Sequence, residues 1–182
     1  MKRSFFIKIF HHLFAAEQLI LFRFVSSIPQ KSPAEVCSAT FENIQDVLFF
    51  DTPDKVEKYR NFLFRGDKGY LAYLDGKCVH RSWVITLPRK VWLHWSLPFA
   101  TQENEAYIHF CETATLARGK NIFSHVLCRI AADYRHCKNI YICVNVKNRP
   151  SSRSIEKAGF MPVKRYRIIA FLNMLVFKKE YE

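Results

Sequence analysis

Phe5, Phe6, Ile9, Phe10, Leu13 and Phe14 gather on one broad side of a helix drawn through residues 1–16, with Ser4, Lys8, His11 and His12 opposite, which predicts a basic amphipathic helix. The pattern then changes. Glu17 to Val25 reads as a strand, and Ser32-Pro33-Ala34-Glu35 is a capping-box pattern with proline in the first turn, predicting a helix from Pro33 to about Phe49. Asp51-Thr52-Pro53 starts a second helix by the same logic, with Gly66 as its left-handed stop. Tyr70 to Leu74 and Cys78 to Leu87 read as antiparallel strands joined by Asp75-Gly76, a pair that accepts the positive φ angles of a tight hairpin turn. Val91 to Leu97 adds an extended piece, and Glu105 to Thr113 alternates as a further strand. Ile122, Val126, Leu127, Ile130, Ala131 and Tyr134 fall at helical spacing over Asn121 to Tyr134. Ile140 to Val146 reads as a buried strand, Ser151 to Ala158 as a short helix closed by Gly159, and Val163 to Phe177 as a final hairpin-like pair of strands. Helices alternate with strands, so the fold class is mixed α/β.

Composition narrows the class. The 182 residues suit one ordinary domain, and 49% apolar with 24% charged residues is a globular balance. Arg23, Lys8 and Glu17 interrupt the N-terminal apolar region, so no stretch reaches the roughly 18 residues of a spanning helix. Lys8 and the two histidines also argue against a cleaved signal peptide. The basic face of residues 1–16 suits either peripheral contact with an anionic membrane or docking on the domain itself. A net charge of +12 attracts anions, but C2H2 spacing, RNA-binding aromatics and a helix-turn-helix are all missing, so nucleic acid is not the expected partner. The six cysteines form no C-x-x-C pair and lie mostly among apolar residues, which favours reduced thiols, a cytoplasmic compartment and no metal site.

Two segments carry candidate chemistry. In Ala117-Arg118-Gly119-Lys120-Asn121-Ile122-Phe123 a basic, glycine-containing turn leads into a helix, so free backbone N–H groups and the positive end of the helix dipole converge on one spot. A pyrophosphate fits there. The second segment, Asn148 to Phe160, is a post-strand loop leading into a short helix that ends at Gly-Phe.

Together these resemble the GNAT N-acetyltransferase superfamily, whose motifs read R/Q-x-x-G-x-G/A and N-x-x-A-x-x-L-Y-E-K-x-G-F. Arg118, Asn148, Glu156-Lys157 and Gly159-Phe160 match, and Ser151 takes the small-residue position. Asn121 and Phe123 replace the two glycines of the first motif. Asn is the non-glycine residue that enters the left-handed region most readily, whereas Phe123 either narrows the diphosphate turn or packs into the core. The resemblance covers about residues 17 to 172 in element order. It implies residues 17–182 as a GNAT-like domain, a twisted, mostly antiparallel sheet with helices on both faces, and residues 1–16 as an addition.

The resemblance further implies that acetyl-CoA is the acyl donor. Its diphosphate would lie on Arg118, Gly119, Lys120, Asn121, Ile122 and Phe123, and its pantetheine along the backbone of Cys111, Glu112 and Thr113 like an added strand. Asn148 and Ser151 would complete that site, and Lys147, Arg149, Arg153 and Lys157 are either a 3′-phosphate contact or a solvated cationic face. A primary amine, on a small molecule or a sugar nucleotide, would attack the thioester directly. His80, Arg81 and Trp83 lie on the hairpin that faces the acceptor in the family. Many members have a tyrosine acid where this chain has Ile155. Glu105, Tyr107 and His109 alternate onto one strand face; Glu105 or His109 is the candidate base and Tyr107 a candidate donor. The rival reading is an acyl-CoA-binding protein without catalysis.

Overall fold

The computed structural model describes residues 14–26, 28–94, 97–171 and 174–181. Among these, eight strands form one sheet in the order β10-β9-β1-β8-β7-β4-β3-β2. They are β1 (Phe14–Phe24), β2 (Glu35–Ser38), β3 (Lys68–Leu74), β4 (Lys77–Ile85), β7 (Glu105–Thr113), β8 (Asn139–Asn145), β9 (Phe160–Phe171) and β10 (Met174–Tyr181). A separate hairpin pairs β5 (Lys90–His94) with β6 (Leu97–Ala100). The helices are α1 (Pro53–Phe64), α2 (Ile122–Asp133) and α3 (Arg149–Lys157). β7 and β8 run parallel, with α2 making the crossover that a parallel pair requires, and the other pairs in the sheet are antiparallel.

Alternation along the strands gives the sheet two apolar faces. On one, Ile20, Phe22, Ala106, Ile108, Ile140 and Ile142 pack against the expected stripe of α2 and against Ile155 of α3. On the other, Leu71 and Trp83 meet Val56, Tyr59 and Phe62 of α1, while Leu19, Leu21, Ile85 and Tyr107 lie under Val91 and Leu97 of the β5–β6 hairpin. Helices therefore cover both faces, as the resemblance implies. No helix among the described residues is long and apolar enough to cross a membrane, and all six cysteines are free.

Local signals held where their partners were local. Asp75 and Gly76 take φ of 50° and 73° in the β3–β4 turn. Gly159 takes φ of 90° after α3, where a Cβ would stand 1.7 Å from the carbonyl oxygen of Ser26. The glycine of the Gly-Phe pair is thus a close-approach residue, and Phe160 is core.

Two expectations are corrected. The helix from Pro33 to Phe49 is instead β2 followed by a 3₁₀ turn, Ile44–Phe49. Ser32 Oγ accepts from Ala34 N–H and donates to the Lys120 carbonyl, Val36 and Cys37 pair with Ala72 and Leu71 at the edge of β3, and Thr40 and Asn43 form a local turn that breaks the run. Of the segment read as an N-terminal helix, residues 14–16 belong to β1, because β9 captures their backbone in ladder pairs. Residues 1–13 lie outside the described residues.

Candidate functional site

β7 and β8 stay paired from Glu105↔Asn139 to Ile108↔Ile142, then part, although β7 continues to Thr113 and β8 to Asn145. On its other edge β7 carries a bulge: Trp83 faces His109 and Arg81 faces Glu112, so Phe110 and Cys111 together oppose Ser82. Phe110 sits at φ of 48°. Below the parting lies a cleft of about 500 Å³ floored by Ile108 and Ile142. His109, Phe110, Cys111 and Glu112 line its β7 wall, and Cys143, Val144 and Asn145 its β8 wall. Phe123, Asn148, Ser151 and Ile155 close the side of α2 and α3, and Lys55 and Arg81 the side of α1.

The basic turn ends at the N-terminus of α2. Gly119 has φ of 82°, and Asn121 caps the helix in the left-handed region at φ of 60°. The first helical bond runs from His125 N–H to the Asn121 carbonyl, 3.0 Å, so the N–H groups of Ile122, Phe123 and Ser124 have no intrahelical acceptor. Ser32 Oγ holds the Lys120 carbonyl at 3.1 Å, and the Gln30 carbonyl lies 2.7 Å from His125 Nδ1, which anchors the turn to the segment before β2. Arg118 donates to the Thr113 carbonyl at 3.2 Å and lies 3.8 Å from Glu112, with 60% of its side chain exposed. Phe123 packs against the core and also lines the cleft, its ring 5.6 Å from that of His80.

Asn148 caps α3, its Oδ1 accepting from Ser151 N–H at 3.3 Å. Lys147, Arg149, Arg153 and Lys157 are exposed. Of the three alternating residues on β7, His109 reaches the cleft. Burial, reinforced by Arg89, Arg65, Lys58 and Arg81, lowers its pKa to about 3, so the imidazole is neutral near pH 7. Its Nε2 stands 3.7 Å from Asp67 Oδ2. Tyr107 is buried beneath the β5–β6 hairpin, stacked on His109 with ring centroids 6.2 Å apart, and its phenol is kept protonated by burial. Glu105 lies at the far end of β7, accepting from Asn139 Nδ2 at 2.8 Å and Gln102 N–H at 3.0 Å. Burial also raises the thiols of Cys111, to about 11, and Cys143, to about 12, so both are protonated.

His80 and Trp83, expected toward an acceptor, are fully buried. Arg81 is 3% exposed and binds Asp51 through Nε at 2.6 Å, the Phe110 carbonyl through Nη1 and Glu112 through Nη2 at 3.4 Å. Asp51 also receives Lys55 at 2.6 Å and Tyr59 Oη at 2.9 Å; burial opposes its charge, but these bonds outweigh it and hold its pKa below the ordinary range. Asp51, two residues before α1, and Lys55 in its first turn stand four apart, a spacing legible in the sequence. Phe110 gave no such signal, because the alternation of β7 runs through it unbroken.

No protein-family model and no curated protein matches the chain. Solved structures do. An acetyltransferase of the GNAT family from Colwellia psychrerythraea superposes with a TM-score of 0.65 at 14% identity, over 93% of this chain and 61% of that one. The glucosamine N-acetyltransferase region of a fungal multi-domain β-N-acetylglucosaminidase gives 0.64 at 13% identity, over 93% of this chain and 22% of that one. An aminoglycoside 6′-N-acetyltransferase from Acinetobacter baumannii gives 0.53 at 14% identity, over 70% and 90%. The chain spans about three fifths of the Colwellia protein's length. At these identities the likeness is one of fold, a mostly antiparallel sheet flanked by helices: the chain has the GNAT acetyltransferase fold.

Proposed function

We propose that the chain is an N-acyltransferase that moves an acetyl group from acetyl-CoA to a primary amine of a small-molecule or sugar-nucleotide acceptor. The observation that carries this reading is the parting of β7 from β8 beside an unpaired helix N-terminus, in a chain with the GNAT fold. The residues present fit the donor. Beyond Ile108 the edge of β7 facing β8 is unpaired, so the backbone of Cys111, Glu112 and Thr113 can hold pantetheine as a strand would. Gly119 opens onto space, and the N–H groups of Ile122, Phe123 and Ser124 with Arg118 and Lys120 offer charge and donors to a diphosphate. Asn148 and Ser151 bound the cleft from α3.

Acetyl-CoA supplies an activated thioester. The amine lone pair attacks its carbonyl, a C–N bond forms as the C–S bond breaks, and the proton lost by nitrogen ends on the CoA sulfur. Neutral His109 accepts a hydrogen bond from the incoming amine and orients its lone pair. Tyr107 supports that ring from behind, and Glu105 ties down the start of β7. The six free thiols support a reducing, cytoplasmic setting.

The test is release of CoA thiol from acetyl-CoA by the full chain across a panel of primary amines, with calorimetry of acetyl-CoA binding. Amine-dependent release is expected, and Arg118→Glu should weaken binding roughly tenfold by reversing charge beside the turn. Tight binding with no amine-dependent release would return the non-catalytic reading, and no binding would remove both.

A further inference from the structure

The β7 bulge is held by a side chain from the neighbouring strand. Phe110 is a bulky residue in the left-handed region, φ of 48°, a conformation that persists only where the surroundings enforce it. Its carbonyl is taken by Nη1 of Arg81, whose side chain is 3% exposed. The same guanidinium is fixed from behind by Asp51 at 2.6 Å, itself held by Lys55 and Tyr59, and from the front by Glu112 at 3.4 Å. Glu112 in turn lies 3.8 Å from Arg118 of the basic turn. With its carbonyl so fixed, the ring of Phe110 lies against Phe62 of α1, 5.2 Å between centroids, under Lys58 Nζ at 4.0 Å.

We infer that Arg81 is a positioning residue whose guanidinium clamps the Phe110 carbonyl, setting the bulge that turns the β7 wall of the cleft and linking that wall through Glu112 to the turn at Arg118. The inference rests on the acyltransferase reading for its kinetic consequence. The trans peptide between Phe110 and Cys111 is planar, so a fixed carbonyl at Phe110 also fixes the direction of the Cys111 N–H, on the strand where the donor is proposed to lie. Without the clamp, Phe110 relaxes toward extended backbone and the β4–β7 register slips.

The test uses Arg81→Lys, which keeps a cation for Asp51 but has no planar fork to serve three acceptors, and Arg81→Lys with Phe110→Gly, because glycine takes positive φ without being held. Arg81→Lys should lower kcat for acetyl transfer roughly 10²-fold, with KM for acetyl-CoA changed by less than about threefold, since misplacement rather than lost affinity is the fault. Adding Phe110→Gly should recover about tenfold or more, which repair of general stability would not do. A double variant no more active than Arg81→Lys overturns the clamp. The three-bond coupling between the amide and α protons of residue 110 reads the clamp without turnover: it should move from a left-handed to an extended value in Arg81→Lys, and an unchanged coupling overturns the inference. A wild-type chain with no transferase activity would sink the acyltransferase reading alone and leave the clamp to be decided by that coupling.

Discussion

Asn121 enters the left-handed region at φ of 60° and ψ of 12° where the basic turn becomes α2, and its side chain makes no capping bond to the helix. Its value is conformational: it stands where the family motif has glycine, and it reproduces the backbone that aims three N–H groups at one point. Replacement by a β-branched residue should be strained there. Asn121→Val is expected to lower stability by about 1–2 kcal/mol and to weaken acetyl-CoA binding, while Asn121→Gly stays within about 0.5 kcal/mol of wild type. Urea denaturation and calorimetry on the two variants check this; equal losses would mean that the asparagine side chain itself is needed.

At the scale of an element, α3 shows how one short motif serves two ends. Asn148 caps it, Pro150 occupies its first turn, and Gly159 stops it against Ser26. All three are local signals; the glycine stop made the helix legible, while the cap and the proline place its start two residues before Ser151. Ile155, at the position of the family's tyrosine acid, is 1% exposed and belongs to the main core as well as the cleft wall. Truncating it leaves a cavity, so Ile155→Ala should cost about 2–5 kcal/mol, against about 1 kcal/mol for loss of the cap in Asn148→Ala. Thermal melts should rank the two in that order, and Asn148→Asp, which keeps an acceptor for Ser151 N–H, should melt near wild type. β2 is the contrasting element: its sequence carries a sound helix start, but the open edge of β3 bonds it as a strand.

For the whole molecule, two imidazoles, His80 fully buried and His109 mostly so, link folding to pH. Burial, with help from Arg81, lowers the pKa of His80 to about 3, and His80 is held between Thr113 Oγ1 at 2.7 Å and Ser82 Oγ at 2.8 Å; His109 is lowered likewise. A folded pKa below the unfolded one means that the unfolded chain binds more protons. Stability is thus fully present above about pH 6.5 and is lost as pH falls toward 3, by up to about 1.4 kcal/mol per pH unit for each histidine. Denaturant unfolding at pH 7.5 and 5.0 should show that loss, and His109→Gln should reduce the slope by about half. A stability independent of pH over this window would mean that neither ring titrates differently in the fold and in the unfolded chain.

Signals that lie within a few residues were enough for the Asp75-Gly76 hairpin, the apolar stripe of α2, the glycine stops of α1 and α3 at Gly66 and Gly159, and the turn that leads from Arg118 into α2. The sequence also brought His109, Cys111, Glu112, Phe123, Asn148 and Ser151 forward as candidates, and the cleft gathers all six. Other features needed partners far along the chain. Whether Glu35–Ser38 pairs as a strand depends on β3, and whether Phe110 bulges depends on β4. The ion pair of Arg81 with Asp51 spans 30 positions, and that of Arg89 with Asp67 spans 22. Glu105 and Tyr107 share a strand face with His109, yet hairpin cover and Asn139 set them apart from the cleft, because the surroundings of a strand face are chosen by what packs on it. Periodicity and capping are short-range physics and can be read from the chain; register, burial and charge pairing are fixed when the sheet closes, and only the tertiary structure decides them.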